Sequence, residues 1–304
     1  MFYNLFYRRS LRLRSFFAGN SAALSPGPCL CLEHPACTRC EGVGAMPLAV
    51  VRGGGDLATG VIYRLWRTGF RLLVLETARP MVIRRPVSAA QAMFDGSHVV
   101  DGMEVRRIAS VRELPDDGAV GVLADPRADC LEVLRPDLLV DAIMAKRNCG
   151  TRRGMAPRVV GLGPGFRAPR DVHAVVETLR GHDLGRVILK GEAAPDTGVP
   201  GEIGGATTDR LVRSPGDGFL EPRSEIGDLV EAGQALGFVG GKPVVARIGG
   251  VLRGLIHPTV PVKEGMKIGD VDPRAVRYHC FSISDKALSV GGGVLEAAFA
   301  VELD

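Results

Sequence analysis

Gly53, Gly54 and Gly55 follow the apolar run "PLAVV" and lead directly into Asp56 and Ala58. Gly53, Gly55 and Ala58 match G-x-G-x-x-A, the spacing at which a tight turn opens a helix whose first amides and dipole attract an anion. Glu76 closes the next apolar run, "RLLVLE", about 20 residues on, where a carboxylate would meet a ribose hydroxyl in a dinucleotide complex. Arg84 and Arg85 come shortly after it, and Lys146, Arg147 and Asn148 follow the run "LLVDAIMA". Carboxyl ends of parallel strands share one crevice, so Arg85, Lys146 and Arg147 are the groups expected to neutralise a bound anion there. Asp56 would orient or exclude ligands, and a branched side chain at Gly55 would collide with one.

Other chemistry-bearing residues are more scattered. His173 and Glu177 stand four apart in "DVHAVVETLRGH", with His182 close behind, and a helix capped by Asp171 would place the first two on one face. As a set they lack a third ligand at fixed spacing, so no metal site is assigned. The body contains no Ser-His-Asp order, no P-loop and no cysteine-rich metal set, which leaves the catalytic question open.

These residues need elements to hold them. "PLAVVR", "LATGVIYRLWRTG" and "RLLVLE" read as strand, amphipathic helix and strand, a βαβ unit that continues through "AVGVLAD", "CLEVLRP" and "LLVDAIMA". A Rossmann-like α/β dinucleotide-binding region is therefore expected over 46–213. Further on, Val230, Gly233, Leu236, Gly237 and Val239 recur as Val262, Gly265, Ile268, Gly269 and Val271. Such a repeat suits two interlocking β-halves and resembles the barrel-sandwich hybrid of biotinyl and lipoyl carriers, expected over 214–275. Lys242 stands on the intervening hairpin without the Met-Lys-Met context of those carriers, so no swinging cofactor is expected on it. A helical segment over 276–304 completes the α/β chain.

Composition narrows the function classes. The chain has 304 residues, 46% hydrophobic and 24% charged, and a formal net charge of +4. Arg8, Arg9, Arg12, Arg14 and Arg39 outweigh Glu33 and Glu41 before Met46, so the remaining body is nearly neutral and lacks the basic stripe of a nucleic-acid binder. No apolar run approaches the roughly 20 residues of a membrane span. Residues 1–45 hold Cys29, Cys31, Cys37 and Cys40 in a composition unlike the rest. They read as an unstructured extension or a start assigned upstream of Met46, with a zinc knuckle or targeting peptide as the alternatives. Cys130, Cys149 and Cys280 are odd in number and widely spaced, which suits a reducing cytoplasm.

From Met46 onward the ordered set "RGGGDLATGV", "VIRRPVS", "DAIMAKRN", "GLGPGF", "DTGVPGEIGG", "IGDLVEAGQALG", "KIGDVDPR" and "GGGVLEA" resembles the selenium-dependent molybdenum hydroxylase system proteins. The resemblance implies an accessory protein in the maturation of a molybdenum hydroxylase, with the apo-hydroxylase as partner. Its anionic cofactor would be molybdopterin (the molybdenum cofactor) or NAD(P), held at Gly53, Gly54, Gly55, Asp56 and Ala58. Two rivals stand beside it: an NAD(P)-dependent oxidoreductase with His173 as acid or base, and a non-catalytic scaffold that docks the apo-hydroxylase.

Overall fold

Ala49, Val50 and Val51 are fully buried, as a strand covered on both faces requires, and they lie at the middle of a nine-stranded sheet. The structure, a computed structural model, describes residues 46–198 and 201–300. The readings made of residues 1–45 lie outside them. Within the described residues the chain from Met46 onward belongs to one compact unit.

The sheet is built from β1 (Leu48–Arg52), β2 (Arg71–Glu76), β3 (Ser97–Val100), β4 (Met103–Ile108), β5 (Val120–Ala124), β6 (Leu138–Asp141) and β7 (Arg158–Leu162). After the short β8 (Arg167–Ala168), β9 (Ala174–Val176) and β10 (Val187–Ile188) complete it, in the order β10-β9-β7-β6-β1-β2-β5-β4-β3. Only the edge strands β10 and β3 run antiparallel to their neighbours. Val50 sits between Leu73 and Leu139, which sets the register at the centre.

The helices are α1 (Asp56–Arg67), the single turns α2 (Ala92–Asp95) and α3 (Leu131–Leu134), and α4 (Asp285–Phe299). One face of the sheet is covered by α1 and α4, with Ile62, Leu65, Val290 and Val294 in its core. The other is covered by α3 and by loops carrying Phe166 and Val172. α1 and α4 touch backbone to backbone. A Cβ on Gly60 would run into the Ala287 carbonyl, and one on Gly291 would run into the Gly60 carbonyl. Since residues 60 and 287 both lie in the opening turns of their helices, the two N-termini share one end of the layer.

The C-terminal half begins with β11 (Gly191–Glu192), which pairs with β8. Then follow β12 (Leu211–Arg213), β13 (Leu220–Pro222), β14 (Leu229–Val230), β15 (Ala235–Val239), β16 (Lys242–Val245), β17 (Gly250–Leu255) and β18 (Lys267–Asp272). They make a four-stranded sheet, β12-β18-β17-β14, and a three-stranded one, β13-β15-β16. The repeat acts twice in the same way. Gly233 and Gly265 turn the chain with φ of +85° and +76°, and Leu236 and Ile268 are both fully buried in one shared core.

The expected pairing of a Rossmann-like domain with a barrel-sandwich hybrid is corrected: the molecule is mostly sheet with few helices. Between successive strands of the large sheet only the β1 to β2 connection runs through a full helix; the others use single turns or loops. The C-terminal sheets do not stand apart as a carrier module either. Leu255 donates its amide to the Ile83 carbonyl at 2.9 Å, and Arg85 Nε donates to the Leu255 carbonyl at 2.8 Å, which ties β17 to the β2–β3 connection. The helix expected through His173 and Glu177 is also absent. Ala174-Val175-Val176 forms the buried strand β9, and the Asp171 carboxylate closes a turn by accepting from the Arg167 amide at 2.9 Å. No described helix is long and apolar enough to cross a membrane.

Beneath the loops after β1 and β6 lies a buried charge pair. Arg52, 3% exposed, meets Asp141 at 3.5 Å, and Thr151 bridges them, accepting from Arg52 Nη1 and donating to Asp141 Oδ2 at 2.5 Å each. Asn148 accepts from the amides of Gly150 and Thr151, so the whole loop 143–151 is folded onto this pair. Two stability predictions follow from this packing. Gly60→Ala should destabilise the protein by about 1–3 kcal/mol in urea unfolding, because the helices must separate to admit the methyl group. Asp141→Ala should cost about 3–5 kcal/mol in the same assay, since it leaves the Arg52 cation buried without a counter-charge.

Candidate functional site

The glycine turn after β1 is filled by the protein itself. Gly53 has φ of +92°, and a Cβ there would overlap the Ala142 carbonyl. Gly54 packs on the Ala90 amide, which donates to the Gly54 carbonyl at 2.9 Å. Gly55, the N-cap of α1, has φ of −71° and ψ of −175°, ordinary extended backbone. A Cβ there would meet only Val82 Cγ1 at 3.8 Å, so the protein itself leaves open space beside Gly55. Ala58 is buried in the core beneath α1.

The other residues expected at this turn make contacts of their own. Glu76 stays beside the turn: its Oε2 takes the Thr77 amide at 3.3 Å, the carboxylate also faces the Gly54 amide, and burial pushes its pKa up. Lys146 pairs with Asp196 at 2.6 Å, and the Arg147 backbone packs against Gly165. Arg85 is held by the Leu255 carbonyl. His173 Nδ1 accepts the Val159 amide at 3.0 Å, whereas Glu177, 5% exposed, collects the amides of Thr178, Leu179 and Ala194 at 2.7 Å each. Their roles are backbone satisfaction at two separate places, not a shared catalytic face.

What the fold does assemble is a charge cluster around Asp56. Arg84, not Arg85, reaches Asp56 at 2.6 Å, and its Nη2 donates to the His279 carbonyl at 2.9 Å. The second Asp56 oxygen is buried without a hydrogen-bond partner. From β17 comes Arg253, which meets Asp272 at 3.5 Å; Arg274 holds the same carboxylate at 2.6 Å. From β18 come Asp270, paired with Arg210, and Lys267. From the start of α4 come Asp285, paired with Arg180 at 2.9 Å, and Lys286. Asp56 lies within electrostatic reach of Arg253, Lys267 and Lys286 at once.

Two members of this cluster are out of balance. Lys267 and Lys286 make no hydrogen bond or ion pair among the described residues, and burial lowers the pKa of both. Lys286 also occupies the first turn of α4, where the helix dipole disfavours a cation. Arg180 holds the Asp285 pKa down to about 2, so that carboxylate stays ionised beside it. Burial raises the Asp270 pKa, although Lys267 and Arg210 oppose the shift. Sequence reading missed Lys267, Arg253 and Lys286 because they come from separate segments and no motif links them. The only signal was a lysine at a helix start, straight after the capping pair Ser284-Asp285. No group of three His, Cys, Asp or Glu side chains among the described residues is placed to hold a metal ion.

No family model matches the chain. Three solved structures overlie 75% of it: an aspartoacylase family protein from Mesorhizobium loti (14% identity, 85% of that chain, TM-score 0.25), a succinylglutamate desuccinylase/aspartoacylase from Rhodobacter sphaeroides (17%, 85%, 0.25) and the ectoine utilization protein EutE (DoeB) from Ruegeria pomeroyi (16%, 86%, 0.23). At those scores the likeness carries neither a fold nor an activity to this chain. The expected role in molybdenum hydroxylase maturation is nonetheless corrected. The names found are those of an acylase, a desuccinylase, a utilization protein and an uncharacterized relative, with no molybdenum, selenium or maturation step among them. At the turn that was to cradle the cofactor, Gly53 and Gly54 pack against Ala142 and Ala90, and Gly55 stays open. Neither a nicotinamide oxidoreductase nor a hydroxylase-docking scaffold is among the names found either. In sequence the chain is similar to the uncharacterized protein YqeB of Escherichia coli (strain K12), 47% identical over 253 residues that make up 82% of this chain and 47% of that protein; it thus spans about half the length of the curated relative it matches.

Proposed function

We propose that the chain binds an anionic small molecule, bearing phosphate or carboxylate, at the shared N-terminal end of α1 and α4. The observation that carries this reading is the pair of half-buried lysines, Lys267 and Lys286, that share the field of Asp56 and form no direct ion pair among the described residues. Holding unpaired cations out of water is costly, and an anion entering the cluster relieves that cost. Two helix N-termini add their dipoles in the same direction. The unpartnered Asp56 oxygen asks for a donor, so the ligand that fits best carries a hydroxyl or N–H beside its anionic group. We also place the chain in a reducing cytoplasm, on the strength of its free Cys130, Cys149 and Cys280.

Calorimetric titration with inorganic phosphate, pyrophosphate and succinate tests the reading. At least one should bind, and Lys286→Gln or Lys267→Gln should weaken it by about tenfold or more, or roughly 1.4 kcal/mol. Lys146→Gln should leave the affinity unchanged, because that lysine is paired with Asp196. Absence of binding for all three anions, or equal affinity in the two site variants, would refute it.

The two lysines also dictate a pH dependence. Burial lowers their pKa in the free protein, and a bound anion raises it again, so binding takes up protons in the alkaline range below the ordinary lysine value of 10.5. Affinity should fall as pH rises through that range. Titrations in buffers of different ionisation enthalpy should show the uptake, and Lys286→Gln should reduce it.

A further inference from the structure

Arg84 and Arg85 are neighbours that serve different places. Arg84 reaches Asp56, whereas Arg85 lines a separate cavity of about 390 Å³ between the β2–β3 connection and the C-terminal sheets. Its polar lining includes Gln91, Asp95, His98 and His257, and Ile226 and Pro258 supply apolar surface.

The hydrogen bonds around this cavity fix what each wall can offer. Arg85 spends Nε on the Leu255 carbonyl, and its terminal nitrogens carry no hydrogen bond among the described residues. Gln91 donates Nε2 to Asp95 at 2.8 Å, which orients the amide and leaves Oε1, on a side chain 6% exposed, buried without a donor. His98 Nε2 faces the Pro86 carbonyl at 2.9 Å and must carry a proton there. His257 stacks on Phe94 at 3.9 Å, and its Nδ1 accepts the Thr259 amide, so Nε2 is its protonated nitrogen. Burial and Arg85 lower the His257 pKa and keep the ring neutral near pH 7. The cavity therefore presents a fork of cationic donors, a carboxylate within electrostatic reach of that fork, an acceptor lacking its donor and an apolar wall.

We propose that this cavity is a binding site for a free α-amino acid, with the ligand carboxylate on the Arg85 guanidinium and its ammonium between Asp95 and Gln91 Oε1. The guanidinium fork matches a carboxylate bidentately. Asp95 supplies the opposite charge, and the ammonium supplies the hydrogen bond that Gln91 lacks. The volume lies in the range of ordinary small-molecule sites, and Ile226 and Pro258 select an apolar side chain. The inference does not depend on the anion site, because Lys267 and Lys286 take no part in it.

Thermal-shift screening of the standard L-amino acids at millimolar concentration, followed by calorimetry on the best of them, tests the proposal. An aliphatic amino acid such as L-leucine should bind. Its analogues isoamylamine and 4-methylpentanoate, which lack the carboxylate and the ammonium respectively, should bind at least about tenfold more weakly. Arg85→Met should abolish binding. Asp95→Asn, on an exposed residue whose bond from Gln91 the amide oxygen can keep, should weaken it without unfolding the chain, and it decides the matter if Arg85→Met fails to fold. Lys286→Gln should leave amino-acid affinity unchanged. Failure of every amino acid to bind, equal binding of both analogues, or undiminished affinity in Asp95→Asn would overturn the proposal.

Discussion

The contact on which the rest depends is the crossing of α1 and α4, where Gly60 and Gly291 let two helix backbones meet without side chains between them. Dispersion forces reward such an approach only when it is close and extensive, and here the helix axes are held together from their first turns. Because Gly60 meets Ala287 and Gly291 while Phe70 meets Phe299, the helices run in one direction, and Gly55-Asp56 and Ser284-Asp285-Lys286 start at the same end. Run antiparallel, the same pair of helices would have put Asp56 and Lys286 at opposite ends. The glycines of α1 and α4 thus do more for the charge cluster than those of the turn before α1, which mainly let β1 and β6 run close together.

A second constraint is the connection from β2 to β3. It carries Arg84 toward the helix starts and Arg85 toward β17, and Ile83 between the large sheet and β17 shares its carbonyl with the Leu255 amide. The two arginines stitch the C-terminal sheets to the α/β layer through buried polar groups. Arrangements of this kind are poor sources of net stability, since desolvation offsets most of the Coulomb attraction. Their value lies in orientation: replacing Arg84 or Arg253 by apolar groups would still permit burial but would not fix where Asp56 and Asp272 point.

Much of the local structure was legible in the sequence. Uniform runs such as Ala49-Val50-Val51 and Leu72-Leu73-Val74-Leu75 announce strands buried on both faces, and the first βαβ unit follows from them. The repeat centred on Leu236 and Ile268 was legible for the same reason, because its turn glycines and buried aliphatics recur in register. The extrapolation from one helical crossover to a helix-covered sheet failed, because segments such as Arg127–Arg135 are too short and polar to build a helix layer and form single turns instead. The glycine triplet was legible only in part. Absence of side chains marks close approach but not the identity of what approaches, and at Gly53 and Gly54 the neighbour is the chain's own backbone. The cluster around Asp56 was invisible because its members come from segments spread between residues 56 and 286 and meet only through tertiary packing.

The order in which these parts meet has a kinetic side. β1 lies at the middle of the large sheet, α1 follows it at once, and yet α1 is completed only by α4 at the far end of the described chain. The two halves of the C-terminal repeat are also interlaced, since β12 pairs with β18 across more than fifty intervening residues and Gly218 bridges to Val262. Little of this can close while the chain is still leaving the ribosome. Pairings of such long sequence separation require loop closure before they yield contact energy, which places the molecule among slow folders of high contact order. Until α4 emerges, the apolar stripe of α1 and the exposed face of a young parallel sheet are surfaces for a chaperone to cover.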